Sequence, residues 1–199
     1  MRRRAGFWPL VRFLAALFVL SVSGLLASGF PVVPALAADV PEPKGYRLDE
    51  YRAPVPDTLA GARVIDAREA HDLWEQKAAA FVDVMPRPPK PKGLPAGTLW
   101  RQPPRQSIPG SLWLANAGYG DLAPEMESYF LNGLQAATGG DRTRPLVIFC
   151  QAGCWMSWNA AKRALAHGYR QVLWLPEGMD GWSAEGYPVE DLQPEPGGL

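Results

Sequence analysis

Four consecutive apolar residues, Leu146-Val147-Ile148-Phe149, run directly into Cys150, and a helix-periodic segment opens about six residues later. A continuous apolar run of that length is how a strand buried on both faces reads. Behind it, from about Met156 to His167, Trp158, Ala161 and Leu165 recur at helical spacing and are expected to face inward. Lys162 and Arg163 are expected to face out, and Gly168 stands where a C-terminal cap belongs. Strand, loop and helix in that order form a unit that needs parallel neighbours. The chain offers them at Val64-Ile65, at Ala80-Phe81-Val82-Asp83-Val84, at Ser111 to Leu114 and at Gln171 to Leu175. Asp66 and Glu69 have capping-box spacing and predict a helix to about Lys77; Pro124 and Gly139-Gly140 bracket another. Pro176 to Trp182 reads as a Gly-containing turn. The expectation is an α/β domain with a mostly parallel central sheet.

Charge divides the chain. Twenty basic groups balance twenty acidic ones, but Arg2, Arg3, Arg4 and Arg12 carry all the charge of the first 37 residues. The basic start, the apolar stretch from about Leu10 to Phe30 and the small-residue exit Ala35-Leu36-Ala37 read as a secretory signal cleaved after Ala37. An uncleaved anchor is the alternative, since the stretch approaches the roughly 20 residues that span a bilayer. Export places the protein in an oxidising compartment, with no membrane contact after cleavage. The remainder has a net charge of −4, which gives no reason to expect nucleic-acid binding.

Residues 38–62 read as a Pro-rich arm, 63–190 as the domain and 191–199 as a flexible tail. Within the domain, Pro86 to Gln106 holds seven prolines, five basic residues (Arg87, Lys90, Lys92, Arg101, Arg105) and no acid. It can be neither helix nor central strand. A solvated loop is the plainer reading of such a charge run; a docking loop for an acidic partner is the functional one.

The chain has two cysteines, Cys150 and Cys154. In an exported protein a disulfide is the default expectation, yet a loop this short staples little of the unfolded chain. The end of a buried strand is where ligands collect in α/β sheets, and the following helix turns its N–H groups and positive dipole end toward the loop. An anion on Cys150 would be stabilised there. Two buried small hydrophobes, or one inert disulfide, is the competing reading. No Cys-x-x-Cys-His run suggests haem. Distant His71 and His167 make a poor zinc set, and a copper site from Cys150, Cys154, Met156 and a histidine lacks support. No cofactor is expected, although a bound quinone or metal stays open.

The ordered pieces resemble the rhodanese domain, a three-layer α/β fold. The matching residues are Asp83, Ile108-Pro109-Gly110-Ser111, Cys150 with Gly153, and Gly178 with Trp182. Rhodaneses carry Arg after the strand-ending Asp, where Met85 stands. Their loop runs Cys-x-x-Gly-x-Arg-Ser, and here Trp155 and Met156 replace its Arg and Ser. Glu177 replaces the first Gly of the closing turn, and Cys154 is an addition. Loss of the loop Arg argues against efficient thiosulfate transfer, because a dianion needs a cationic partner. Cys154-Trp155-Met156-Ser157-Trp158-Asn159-Ala160-Ala161-Lys162-Arg163 and Tyr51-Arg52-Ala53-Pro54-Val55-Pro56 resemble a narrower group, the exported CXXCW-motif proteins associated with pyrroloquinoline quinone (PQQ)-dependent catabolism.

That resemblance implies a periplasmic protein serving alcohol oxidation by a PQQ-dependent dehydrogenase or an associated transport system. On a thiol reading, Cys150 is the nucleophile or sulfur carrier and Cys154 resolves it as an internal disulfide. Asp83 supports the loop formed by Gln151, Ala152 and Gly153, Trp155 shields it, and Ser157 opens the helix behind it. On a binding-module reading, a Trp-rich surface (Trp100, Trp113, Trp155, Trp158) and the basic loop meet a partner.

Overall fold

The computed structural model describes residues 40–89, 91–101 and 103–198. The expected leader, its cleavage site and Lys90 lie outside them. Among the described residues, no helix is long and apolar enough to cross a membrane.

Five strands form the central sheet: β1 (Arg63–Val64), β2 (Ala80–Asp83), β4 (Leu112–Trp113), β5 (Leu146–Phe149) and β6 (Val172–Leu175). Their spatial order is β1-β6-β5-β2-β4, and every pairing is parallel. The expected mostly parallel α/β sheet is what forms. β2, β5 and β6 are buried throughout, which is why they lack a polar alternation.

Successive side chains still point to opposite faces, so the strands feed two cores. Val82, Ile148 and Trp174 pack beneath α2 (Pro124–Thr138) and α3 (Trp155–Ala166). Phe81, Phe149 and Leu175 pack beneath α1 (Ala67–Glu75) and α4 (Gly178–Ala184). Asp66 caps α1 by accepting from the Glu69 N–H at 2.8 Å. Gly139, at φ 67°, closes α2 in the left-handed conformation that glycine tolerates best.

Several sequence expectations are corrected. Pro176 to Trp182 is not simply a turn; it leads into α4, where Trp182 anchors the short helix in the core. The segment expected as a flexible tail begins instead in β7 (Glu190–Leu192), which pairs antiparallel with β3 (Arg105–Ser107). Farther on, the Glu195 N–H donates to the Trp113 carbonyl at 2.9 Å. Among the described residues of the proline-rich loop, only its end is strand, and it lies in this separate two-stranded ribbon.

Arg163, expected to face out, is buried. Its guanidinium donates to the carbonyls of Tyr119 and Gly120 at 3.0 and 2.9 Å and stacks 4.4 Å from the Tyr46 ring. A buried cation must be satisfied, and here carbonyls and an aromatic face do so. Of the four tryptophans read as a surface, Trp113, Trp155 and Trp158 are buried and Trp100 is half-buried.

The 40–58 arm explains that inversion. It lies along α3, whose polar and aromatic residues hold its backbone. Asn159 accepts the Arg47 N–H at 2.9 Å and donates to the Arg47 carbonyl at 2.8 Å. Trp155 Nε1 donates to Pro54, Trp158 Nε1 to Thr58 and Lys162 Nζ to Pro43. Gly120 permits the crossing, because a Cβ there would stand 2.1 Å from the Arg47 carbonyl oxygen. A helix face that looks solvated from its side chains is therefore covered.

Candidate active site

The cysteine loop lies between the end of β5 and the start of α3. Cys150 follows the last residue of β5, and Cys154 is the N-cap of α3. Gly153 turns the loop at φ 60°, a conformation that costs glycine little. The two sulfurs stand 2.9 Å apart, with Cys150 as donor and Cys154 as acceptor. That separation exceeds the roughly 2.05 Å of a disulfide, and both residues are free thiols. Exposure is 0% at Cys150 and 2% at Cys154, so neither meets solvent as the arm lies.

Met85 brings a third sulfur, its Sδ 3.4 Å from Cys150 Sγ. Its backbone is held at both ends: the N–H donates to Asp83 at 2.9 Å, and the carbonyl accepts from Trp113 Nε1 at 2.7 Å.

Asp83 is linked to the loop through a residue that the sequence reading placed elsewhere. Arg105 Nε donates to Asp83 at 2.8 Å, and its Nη2 donates to the Cys150 carbonyl at 2.9 Å. Ser107 Oγ adds a third hydrogen bond to the buried carboxylate. Burial raises the Asp83 pKa despite the opposing attraction of Arg105. Arg105 therefore touches the cysteine loop directly.

The other expected loop residues divide. Arg87 is half-buried, its N–H donating to Asn116 at 2.9 Å. Lys92 and Arg101 are exposed, away from any described site contact. Gln151 bridges to Gly178, and the Ala152 N–H donates to Asp180 at 2.9 Å. Gly178 permits this close approach, since a Cβ there would stand 2.7 Å from the Gln151 backbone. Ser157 Oγ donates to the Cys154 carbonyl at 3.0 Å and accepts from Trp174 Nε1 at 3.0 Å. Trp155 donates its backbone N–H to Tyr51 and its indole N–H to Pro54, both at 3.0 Å. It thus fastens the arm to the site in the position where a rhodanese loop carries Arg.

Electrostatics favour an anion on Cys154, opposite to the expected assignment. Burial pushes the Cys150 thiol well up, and its hydrogen bond to Cys154 holds the proton further. The Cys154 thiol is brought down to about 7. The hydrogen bond from Cys150 is the main cause; burial opposes it, while the Met156 and Ser157 N–H groups and Arg52 assist. A thiolate beside a thiol can exchange with a disulfide. The sequence had noted Met85 as a departure and Arg105 as a loop charge, but local spacing gave neither a place at the site.

A rhodanese-like domain family matches residues 53–185. Among solved structures, a polysulfide-sulfur transferase from Wolinella succinogenes is 20% identical, covering 67% of this chain and 82% of that one, with a TM-score of 0.43. A thiosulfate sulfurtransferase from Pseudomonas aeruginosa is 17% identical, covering 67% and 21%, with a TM-score of 0.46. A rhodanese-like domain from Anabaena is 14% identical, covering 71% and 88%, with a TM-score of 0.42. No curated protein matches significantly. With the family match spanning most of the chain and the cysteine loop at the end of β5, the protein belongs to the rhodanese-like domain family.

Proposed function

We propose that this is an exported thiol protein whose Cys150–Cys154 pair exchanges with a partner's disulfide in support of PQQ-dependent alcohol catabolism. The observation that carries the redox reading is the 2.9 Å approach of a thiol donor to a thiolate-prone acceptor. The link to alcohol oxidation rests on the resemblance of the Cys154 to Arg163 and Tyr51 to Pro56 segments to the CXXCW-motif group.

In the reducing direction, the Cys154 thiolate attacks one sulfur of the partner disulfide, and the other partner sulfur leaves with the electron pair of the broken bond. Cys150 releases its proton to that leaving thiolate and attacks Cys154 Sγ. The mixed disulfide breaks, Cys150–Cys154 forms, and the partner departs with one thiol and one thiolate, the latter taking its proton from solvent. Two electrons pass to the partner, and the reverse sequence oxidises it. Sulfur transfer through a cysteine persulfide is the related chemistry. Thiosulfate is a poor substrate for it here, because Trp155 and its arm occupy the position of the rhodanese loop cation.

Mass measurement of thiol-trapped protein from the periplasm tests this reading. We expect a population of the Cys150–Cys154 disulfide that rises with mild oxidant; cysteines that neither change state nor carry sulfur would refute it. A non-catalytic accessory module for a dehydrogenase or transport system is the second reading, favoured by burial of both sulfurs. Full growth on alcohols with both cysteines replaced by serine would select it.

A further inference from the structure

We propose that the reduced loop is a Cu(I) site in which Cys150 Sγ, Cys154 Sγ and Met85 Sδ are the ligands. The inference stands on the sulfur geometry and does not require disulfide exchange. Three soft donors converge from three parts of the fold: Met85 just beyond β2, Cys150 just beyond β5, and Cys154 at the head of α3. Cys150 is the hub, 2.9 Å from one sulfur and 3.4 Å from the other.

The donor chemistry selects the ion. Thiolate and thioether sulfur favour Cu(I), whereas Ca(II) and Mg(II) require oxygen and structural Zn(II) wants four nitrogen or sulfur ligands. Among the described residues, no group of three histidine, cysteine or carboxylate side chains suited to a metal includes either cysteine. Two carboxylates lie near the loop: the oxygens of Asp83 are engaged by Arg105, Ser107 and the Met85 N–H, and Asp180 accepts from the Ala152 N–H. A three-sulfur set without a fourth donor suits a monovalent soft ion.

The surroundings also fit. A rhodanese loop is built to hold an anion, but here a thioether and an indole stand at its cationic positions, and a second thiol has been added. Two thiolates around Cu(I) leave one net negative charge. The Arg105 guanidinium, anchored to the Cys150 carbonyl, and the N-terminus of the 12-residue α3 oppose that charge. Burial of both cysteines would keep a bound ion from water and oxygen. The sulfurs must spread to admit the metal between them. Met85 and Cys150 are fixed through their backbones, so the Cys154 side, beneath the Tyr51–Pro54 part of the arm, is where the site would open. On binding, any remaining thiol proton passes to solvent as the Cu–S bonds form. Copper stays Cu(I), and no electron moves.

The test is an anaerobic titration of the reduced protein with Cu(I) in competition with bathocuproine disulfonate, followed by X-ray absorption at the copper edge. We expect one Cu(I) per chain and a first shell of three sulfurs. Cys150→Ser should abolish retention. Met85→Leu, with its metal-free melting compared with wild type to confirm the fold, should weaken binding by at least about tenfold, since losing even an outer-shell partner commonly costs 10–100-fold. No copper retained, a nitrogen or oxygen first shell, or undiminished affinity in Met85→Leu would each overturn the proposal. Oxidant-driven disulfide formation in copper-free wild type is read separately, so failure of the redox reading and failure of the copper site give different results.

Discussion

Arg105 reaches Asp83 across 2.8 Å although 22 positions separate them in the chain. The same guanidinium holds the Cys150 carbonyl, so one side chain joins the end of β2 to the cysteine loop. Removing one partner of a buried ion pair costs about 3–5 kcal/mol. Arg105→Met should therefore lower the melting midpoint by roughly 10 °C, at about 2–4 °C per kcal/mol for a protein of this size. A midpoint within a degree or two of wild type would show that the pair contributes little.

The same pair predicts a pH dependence. A carboxyl whose folded pKa is raised stabilises the fold most while it is protonated in both states, below its ordinary 3.8. Its contribution then falls as pH rises through the raised value. Arg105 restrains that rise, so without it the loss should extend to higher pH. Urea unfolding of wild type and Arg105→Met from acid to neutral pH would reveal it: the stability gap should widen as pH increases. A constant gap would contradict the assignment.

Cys154 should alkylate with half-maximal rate at about pH 7, well below Cys150. Cys150→Ala removes the largest cause of the lowered value and should move the Cys154 profile upward. The sign for stability is opposite to that of Asp83. A thiol lowered from 9.0 to about 7 contributes stability that is fully present above 9.0 and is lost as pH falls through 7. Peptide-resolved iodoacetamide labelling over this range measures it. Faster labelling of Cys150 would return the anion to the residue first expected to carry it.

Asn159 ties the arm to α3 by accepting and donating at Arg47, and it also donates to the Gly118 carbonyl at 3.2 Å. Asn159→Ala leaves those backbone groups unpaired, at about 1–3 kcal/mol. Trypsin should then cut faster after Arg47 and Arg52, and both cysteines should label faster. Unchanged cleavage and labelling would show that the arm does not control access.

Gly178→Ala tests the contact between α4 and the loop. The added methyl would meet the Gln151 backbone at 2.7 Å from a φ of 51°. Backbone strain alone costs on the order of 1–3 kcal/mol. The variant should melt lower and label faster at Cys154, because α4 must withdraw from the cysteine loop. Wild-type melting would mean that the loop absorbs the methyl without cost.

The elements that were legible in the sequence are those written in local pattern. Leu146 to Phe149 showed itself as a buried strand through four adjacent apolar residues, and Cys150 took its place at the strand end by adjacency alone. The helix behind it was legible in its period, and the short spacing of Cys150 and Cys154 already set them apart from a stapling scaffold. Side-chain partners separated by long stretches of chain were not. Arg163 and Lys162 look solvated on an isolated helix, but the arm that covers them arrives from more than a hundred residues upstream. Arg105 counts as one charge in a basic run until the β3–β7 ribbon turns it toward Asp83. Met85 is only a departure from a motif until β2 and β5 pair and bring its sulfur to Cys150. Periodicity encodes which face of an element is apolar; only packing decides what covers that face. Sequence determined the strand, the loop and the two thiols, while tertiary structure chose the cation, the third sulfur and the cover.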